Sequence, residues 1–181
     1  MLENELKLIK QAQAGESEAF GSIYDYYLPK IYRFVLLKVS EKEEAEDITH
    51  QVFLKAWTSL DSYKHRNLPF SSWLYKIAKN AIIDHYRRNR LTLNIEDEET
   101  NEVLIVKNDI LSELDLKSDI AEIYKCLAEL KNIEQEVVMM RFVDDLPIKE
   151  VAAALQKSEG AVKLIQHRAI NALKEKLSKN Q

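Results

Sequence analysis

Residues 149–177 read KEVAAALQKSEGAVKLIQHRAINALKEKL. Two apolar helical repeats meet here across a break of about three residues. Val151, Ala152 and Leu155, with Ile148 just upstream, share one face of a first helix. Val162, Ile165, Ala169, Leu173 and Leu177 share one face of a second. Pro147 suits the first turn of the first helix, where a missing N–H leaves no bond unmade. Ser158 suits the cap of the second. The separation, residues 156–158, is that of a helix-turn-helix. The second helix turns Lys163, Leu164, His167, Arg168, Asn171 and Lys174 outward. A solvated hairpin face is the ordinary reading of such a set. The alternative lays the start of that helix in the major groove of duplex DNA.

Outward from this pair the chain stays helical. Asn132 with Gln135 reads as a cap opening a helix over 133–143, and Ser118 as the cap of another over 119–130. At the other end, Leu2, Leu6, Ile9 and Ala12 form a stripe that stops at Gly15, a candidate C-cap. Ser17 opens a second helix carrying Phe20, Ile23, Tyr24, Tyr27, Ile31, Phe34 and Val35, with Pro29 as a candidate bend. Ser40 with Glu43 reads as a capping box opening a third helix to about Leu60. Residues 61–69 (DSYKHRNLP) read as a loop, and 70–90 as a fourth helix. With three glycines and three prolines in 181 residues, the chain lacks the punctuation of a many-stranded sandwich or barrel. The expected fold class is all-α.

Net charge is −4, but it is unevenly distributed. Residues 1–90 hold 14 Lys/Arg against 12 Asp/Glu, residues 91–119 hold 2 against 9, and residues 120–181 hold 10 against 9. The negative charge sits in one central stretch, which also lacks aromatics, so residues 91–117 read as an acidic linker between two small helical domains, 1–90 and 118–181. Leu104, Ile105, Val106, Ile110 and Leu111 within it suit docking on a partner. No apolar run reaches a membrane span or resembles a signal peptide, and Cys126 is the single cysteine. A cytoplasmic protein without membrane insertion is expected.

Catalytic signatures are missing. Asp47-x-x-His50 has no second copy to complete a di-metal bundle site. No glycine-rich phosphate loop, HExxH or Gly-x-Ser-x-Gly occurs. The sequence points away from an enzyme, and no cofactor is expected.

Two stripes point to binding instead. In residues 45–57, AEDITHQVFLKAW, the buried face is Ala45, Ile48, Val52 and Ala56, extended by Phe53 and Trp57. Asp47, Gln51, Leu54 and Thr58 line the opposite side. Such a stripe is ordinarily a solvated face, but an outward leucine among polar groups also suits a partner surface. In residues 70–90, FSSWLYKIAKNAIIDHYRRNR, the buried face is Leu74, Ile77, Ala78, Ala81 and Ile82. The other side carries Lys76, Asn80, Ile83 and Arg87, flanked by Trp73, Asp84 and Arg88. From Lys76 to Arg90 there are five Lys/Arg against one Asp. Cations near a helix C-terminus also complement its dipole. Interleaved with amide and aromatic groups, though, they fit nucleic acid: cations on phosphates, Asn on base edges, rings on unpaired bases. The loop before this helix adds Tyr63, Lys64, His65, Arg66 and Asn67, groups suited to holding a flipped base.

The runs DITHQVFLKAW, WLYKIAKNAIIDHYRR, and EQEVVMMRF followed by IKEVAAAL, SEGAVK and HRA, occur in that order around the acidic stretch. Together they resemble the two-domain bacterial sigma factors of the extracytoplasmic-function group, over about residues 5–177. The resemblance implies that residues 1–90 form a region-two domain and 118–181 a region-four domain. Asp47, Gln51, Leu54 and Thr58 would dock on the clamp-helix coiled coil of core RNA polymerase. Tyr63, Lys64, Arg66, Asn67, Trp73, Lys76, Asn80, Asp84, Arg87 and Arg88 would recognise and melt the −10 element of promoter DNA. Ser158, Glu159, Lys163, Leu164, His167 and Arg168 would read the −35 element, with region four resting on the polymerase flap. The linker would thread towards the active-site and RNA-exit channels. An anti-sigma factor would be a further partner.

The chain departs from the family pattern at two places. Gln156 and Lys157 stand where the inter-helix turn usually has glycine. Leu164-Ile165-Gln166 stands where Ser-Arg-Leu is usual, which implies an altered −35 preference. No regulatory domain is expected after Leu177. The rival readings are a free-standing helix-turn-helix regulator, which would need a dimerisation helix, and a protein-binding helical adaptor, which would not need the basic stripe.

Overall fold

The computed structural model describes residues 2–39, 41–65, 68–92, 123 and 125–179. Its order is α1 (Glu5–Gln13), α2 (Ser17–Val39), α3 (Lys42–Ser59), a 3-10 turn (Leu60–Ser62) and α4 (Phe70–Thr92). After a helical turn at residues 125–128 come α5 (Asn132–Val138), a π-helical turn (Met139–Val143), α6 (Ile148–Leu155) and α7 (Glu159–Lys179). The fold is all-α, with a first cluster of α1–α4 and a second of α5–α7.

Helix boundaries follow local chemistry. Gly15, at φ +93, lets the chain turn away after α1. The Gly15 N–H then reaches the Ala12 carbonyl and the Glu16 N–H the Gln11 carbonyl, a Schellman closure. Ser158 caps α7 as expected, its Oγ accepting from the Ala161 N–H at 3.1 Å. Two expected caps fall elsewhere. Helix α3 opens after Glu41 with no side-chain cap, and Ser40 lies outside the described residues. Helix α5 is capped from Lys131, whose N–H donates to the Glu134 carboxylate at 3.3 Å, not by Asn132 with Gln135. Ser118 and the start of its expected helix lie outside the described residues, as does most of the acidic stretch.

The first cluster is centred on α2, whose Ile23, Ile31, Phe34 and Val35 are fully buried. Ala45, Ile48, Val52, Phe53 and Ala56 of α3 pack there, as do Leu74, Ala78 and Ile82 of α4. Trp57, expected on the buried face, is 38% exposed and presents its ring to Phe20 at 4.7 Å. In the second cluster Val137, Met139, Met140, Val151, Val162 and Ala169 form the centre.

Helix α4 is buried on a second side as well. Ser71, Ser72 and Tyr75 are covered by the second cluster, chiefly by α6. The two clusters therefore lie against each other: their apolar cores run into one, and paired polar side chains also cross the contact.

Candidate nucleic-acid and polymerase interface

Helix pairing sets out the first surface. Because α3 and α4 bury Val52, Ala56, Leu74 and Ala78 between and behind them, their outer edges diverge into an open groove of about 750 Å³. Gln51, Leu54, Lys55 and Thr58 form one wall. Asn80, Asp84, Arg87 and Arg88 form the other, with Ile77 and Ala81 as the floor. The stripes that the sequence assigned to polymerase and to DNA thus open onto one groove. Asp47 is exposed one turn before Gln51, outside the groove lining.

Within the groove the apolar side chain of Leu54 is 65% exposed. Thr58 bonds inward, its hydroxyl donating to the Leu54 and Lys55 carbonyls at 3.0 and 3.2 Å. Arg87 and Asp84 pair at 3.6 Å, both well exposed, which leaves the guanidinium free to exchange its partner for a phosphate. The Arg88 Nε donates to the Asp84 carbonyl at 3.4 Å. His85 and Glu44, 3.3 Å apart, tie α4 to α3 behind the groove. Lys55, Ile77 and Ala81 belong to this site although the stripe analysis did not single them out as contact residues. Lys55 stands four residues after Gln51 and three before Thr58, on the same helical face, so the periodicity itself could have found it.

The loop preceding α4 is held from below. Gln13 donates to the carbonyls of Leu60 and Tyr63, at 2.8 and 3.0 Å. Tyr63 is only 6% exposed. Its ring packs between Phe70 and Trp73, with centroids at 5.4 and 4.9 Å, and its hydroxyl donates to the Leu68 carbonyl at 2.7 Å. Burial pushes this phenol well above its usual range. Tyr63 therefore braces the loop, whereas the sequence reading had it as an open ring for a flipped base. The aromatic content of the run concealed this, since a bracing ring and a stacking ring look alike in sequence. Lys64 and Lys76 are exposed and Trp73 is half-buried, while Arg66 and Asn67 lie outside the described residues.

The second surface is the outer face of α7. Ser158, Glu159, Lys163, Leu164, His167 and Arg168 are all exposed, and Leu164 is 51% so. Ile165 turns inward onto the core. Gln166 also turns in, accepting from the Arg141 Nε at 3.3 Å, while Arg141 Nη1 donates to the Leu146 carbonyl. Arg141 thus fixes α7 against the turn that leads to α6, a bracing role that sequence spacing did not signal. Between the helices, Gln156 takes the left-handed conformation, φ 54 and ψ 43. It fills the position where glycine would be unstrained. Among the described residues no group of three His, Cys, Asp or Glu side chains converges as a metal would require. No described helix is long and apolar enough to cross a membrane.

Comparison with known proteins finds matches for both helical clusters. The family model for sigma-70 region 2 matches residues 23–92, and that for sigma-70 region 4 matches residues 126–175. The ECF RNA polymerase sigma factor SigW of Bacillus subtilis is 31% identical over 179 residues, covering 94% of this chain and 95% of SigW. The ECF sigma factor BldN of Streptomyces coelicolor is 35% identical over 171 residues, covering 93% of this chain. The chain spans 64% of BldN's length. Two solved structures share the fold. CnrH, in complex with the cytosolic domain of CnrY, has TM-score 0.71 at 22% identity, covering 96% of this chain and 97% of that one. RpoE of Bartonella quintana, in complex with the anti-sigma factor NepR, has TM-score 0.69 at 22% identity, covering 90% and 98%. With a groove between α3 and α4, an exposed second helix of a helix-turn-helix, and these matches along nearly its whole length, the chain belongs to the extracytoplasmic-function RNA polymerase sigma factors of the sigma-70 family, which direct the polymerase in promoter recognition and initiation.

Proposed function

We propose that this sigma factor divides its work among three faces. Asp47, Gln51, Leu54 and Thr58 bind core polymerase. The loop and the outer side of α4, through Lys64, Arg66, Asn67, Trp73, Lys76, Asn80, Asp84, Arg87 and Arg88, engage and help melt the −10 element, with Tyr63 holding the loop in shape. Ser158, Glu159, Lys163, Leu164, His167 and Arg168 of the second helix read the −35 element. In this reading residues 1–90 and 118–181 are the two working domains, joined by the acidic stretch at 91–117. The chain contributes binding and DNA positioning, and polymerase supplies the chemistry. An anti-sigma factor is a further partner, as NepR is for the Bartonella protein.

The observation that carries the division is the groove, where an exposed leucine with Gln51, Lys55 and Thr58 on α3 faces Asn80, Asp84, Arg87 and Arg88 on α4. Apolar exposure on one wall suits a protein partner. Cations with an amide on the other suit phosphates and base edges. On α7, Leu164 offers a thymine methyl an apolar contact, and Ile165 removes the arginine usual in the family from the base-reading surface.

The test separates assembly from opening. Asp47→Ala with Gln51→Ala is expected to impair holoenzyme formation, and Arg87→Ala or Asn80→Ala to leave assembly intact while promoter opening fails. Unchanged polymerase affinity for the double variant, or normal transcription by Arg87→Ala on linear templates, would remove the corresponding assignment.

A further inference from the structure

The outward row of α4 carries one apolar side chain among polar ones. Ile82 turns inward and is 7% exposed, whereas its neighbour Ile83 is 53% exposed. Lys76, Asn80, Ile83 and Arg87 follow one another at steps of four, three and four residues, which sets them in one row along the helix. All four are exposed. The row is about 16 Å long, close to the rise of about five stacked base pairs.

A single exposed aliphatic residue is ordinary on a protein surface. Two features set this one apart. Isoleucine is β-branched and gives up χ1 freedom in a helix, and a position more than half open to water offers little packing to offset that. Its neighbours in the row are also cations on both sides, Lys76 and Arg87, with the Asn80 amide one turn before it. An apolar protein surface settling on Ile83 would strip water from Lys76 and Arg87 without replacing it. A DNA strand supplies phosphates for both cations and an apolar group for the side chain between them. On a base edge that apolar group is the C5-methyl of thymine. The Asp84 carboxylate, 3.6 Å from Arg87, is an exposed partner that a phosphate can displace. Leu164 on α7 has the same setting, 51% exposed beside Lys163 and Arg168.

We propose that Ile83 is a specificity-determining residue of the −10 contact, seating the C5-methyl of one thymine while Lys76 and Arg87 hold the flanking phosphates. The inference rests on the reading that α4 faces the −10 element, and it names a base that this reading leaves open. Thymine and deoxyuridine share their hydrogen-bonding edge and differ by the methyl alone, so the contact can be tested by itself.

A randomised −10 library transcribed by core polymerase with this protein gives the first readout. The parent is expected to select thymine at one position, and Ile83→Ala to lose that preference. Ile83→Val keeps an aliphatic side chain and should retain it. The selected promoter is then made as a linear duplex with deoxyuridine in place of that thymine. Loss of the methyl should lower open-complex formation by the parent about fourfold, the equivalent of one buried methylene. The same replacement should leave Ile83→Ala unaffected, because the partner of the methyl is already gone. Both variants should keep the parent's melting temperature and its affinity for core polymerase.

Equal sensitivity to deoxyuridine in the parent and Ile83→Ala, or a parent that selects no thymine, would overturn the proposal. Weakened binding of Ile83→Ala to core polymerase would also overturn it, since Ile83 would then belong to a protein contact. So would a loss of activity by Ile83→Ala at every sequence alike that a pre-melted template restores, the mark of a wedge that parts bases without reading them. Arg87→Ala, assayed in parallel, separates the two levels. Normal opening by Arg87→Ala would remove the −10 reading and the role of Ile83 with it. Failed opening by Arg87→Ala, with thymine preference intact in Ile83→Ala, would remove the role of Ile83 alone.

Discussion

Leu54→Ala isolates the apolar part of the polymerase contact. Leu54 is 65% exposed on the α3 wall of the groove. Fully burying a leucine side chain contributes about 1.5–3 kcal/mol. If polymerase covers the part now open to water, the loss on truncation is about two-thirds of that, roughly 1–2 kcal/mol. The dissociation constant should then rise about 5- to 30-fold. Fold stability should shift by less than about 0.5 kcal/mol, because nothing in the core loses a neighbour. Fluorescence anisotropy of labelled protein titrated with core polymerase reads the first quantity and a thermal melt the second. Leu6→Ala on α1 removes a leucine that is 47% exposed outside the groove and should leave affinity unchanged. A Leu54→Ala dissociation constant within twofold of the parent, with an intact melt, would refute the reasoning that this wall is the docking surface.

Other consequences follow from single positions. Gln156→Gly relieves a left-handed residue at the end of α6. The relief of about 1–2 kcal/mol is partly offset by the freer unfolded chain, so a net gain of up to about 1 kcal/mol should appear as a higher melting temperature. A lower one would contradict the turn geometry. Burial lowers the Lys38 ammonium to about 8, with Glu136 opposing the shift and Lys79 adding to it. Since unfolding would return Lys38 to its ordinary value of 10.5, the unfolded form binds more protons above about pH 8. This site's contribution to fold stability should therefore rise from pH 7.5 to 9.5, by at most about 1.4 kcal/mol per pH unit. Thermal melts across that range should show the parent gaining stability relative to Lys38→Met. Leu164→Ser with Ile165→Arg should shift or sharpen the preferred −35 sequence in a randomised library. It should also lower stability somewhat, because Ile165 packs on the core. Identical library preferences would mean that the first turns of α7 do not read DNA.

The apolar periodicities gave the helices away, because a helix in a small bundle must bury one stripe. Ala45, Ile48, Val52 and Ala56 on α3, and Leu74, Ala78 and Ile82 on α4, are buried as their spacing requires. Exposure along Ser158–Arg168 was legible for the same reason, as the complement of Val162 and Ala169. What stayed hidden depends on groups far apart in the chain. Asn132 and Gln135 have the spacing of a cap, yet both accept from Lys38, 94 and 97 residues away. Ser71, Ser72 and Tyr75 look like the polar start of an amphipathic helix until Glu150 and Asp144 cover them. Local patterns register neither contact, because a polar side chain suits water and a buried partner equally well. Tyr63 differs again: its burial comes from Phe70 and Trp73 folding over a loop with no periodicity to read.

Run-off transcription with purified core polymerase and genomic promoter templates tests the central assignment most directly. The account predicts discrete, reproducible start sites that need both this protein and core polymerase, from a protein that alone binds the same duplexes weakly at physiological salt. Core polymerase that gains no specific starts, together with tight sequence-specific duplex binding by the protein alone, would contradict it.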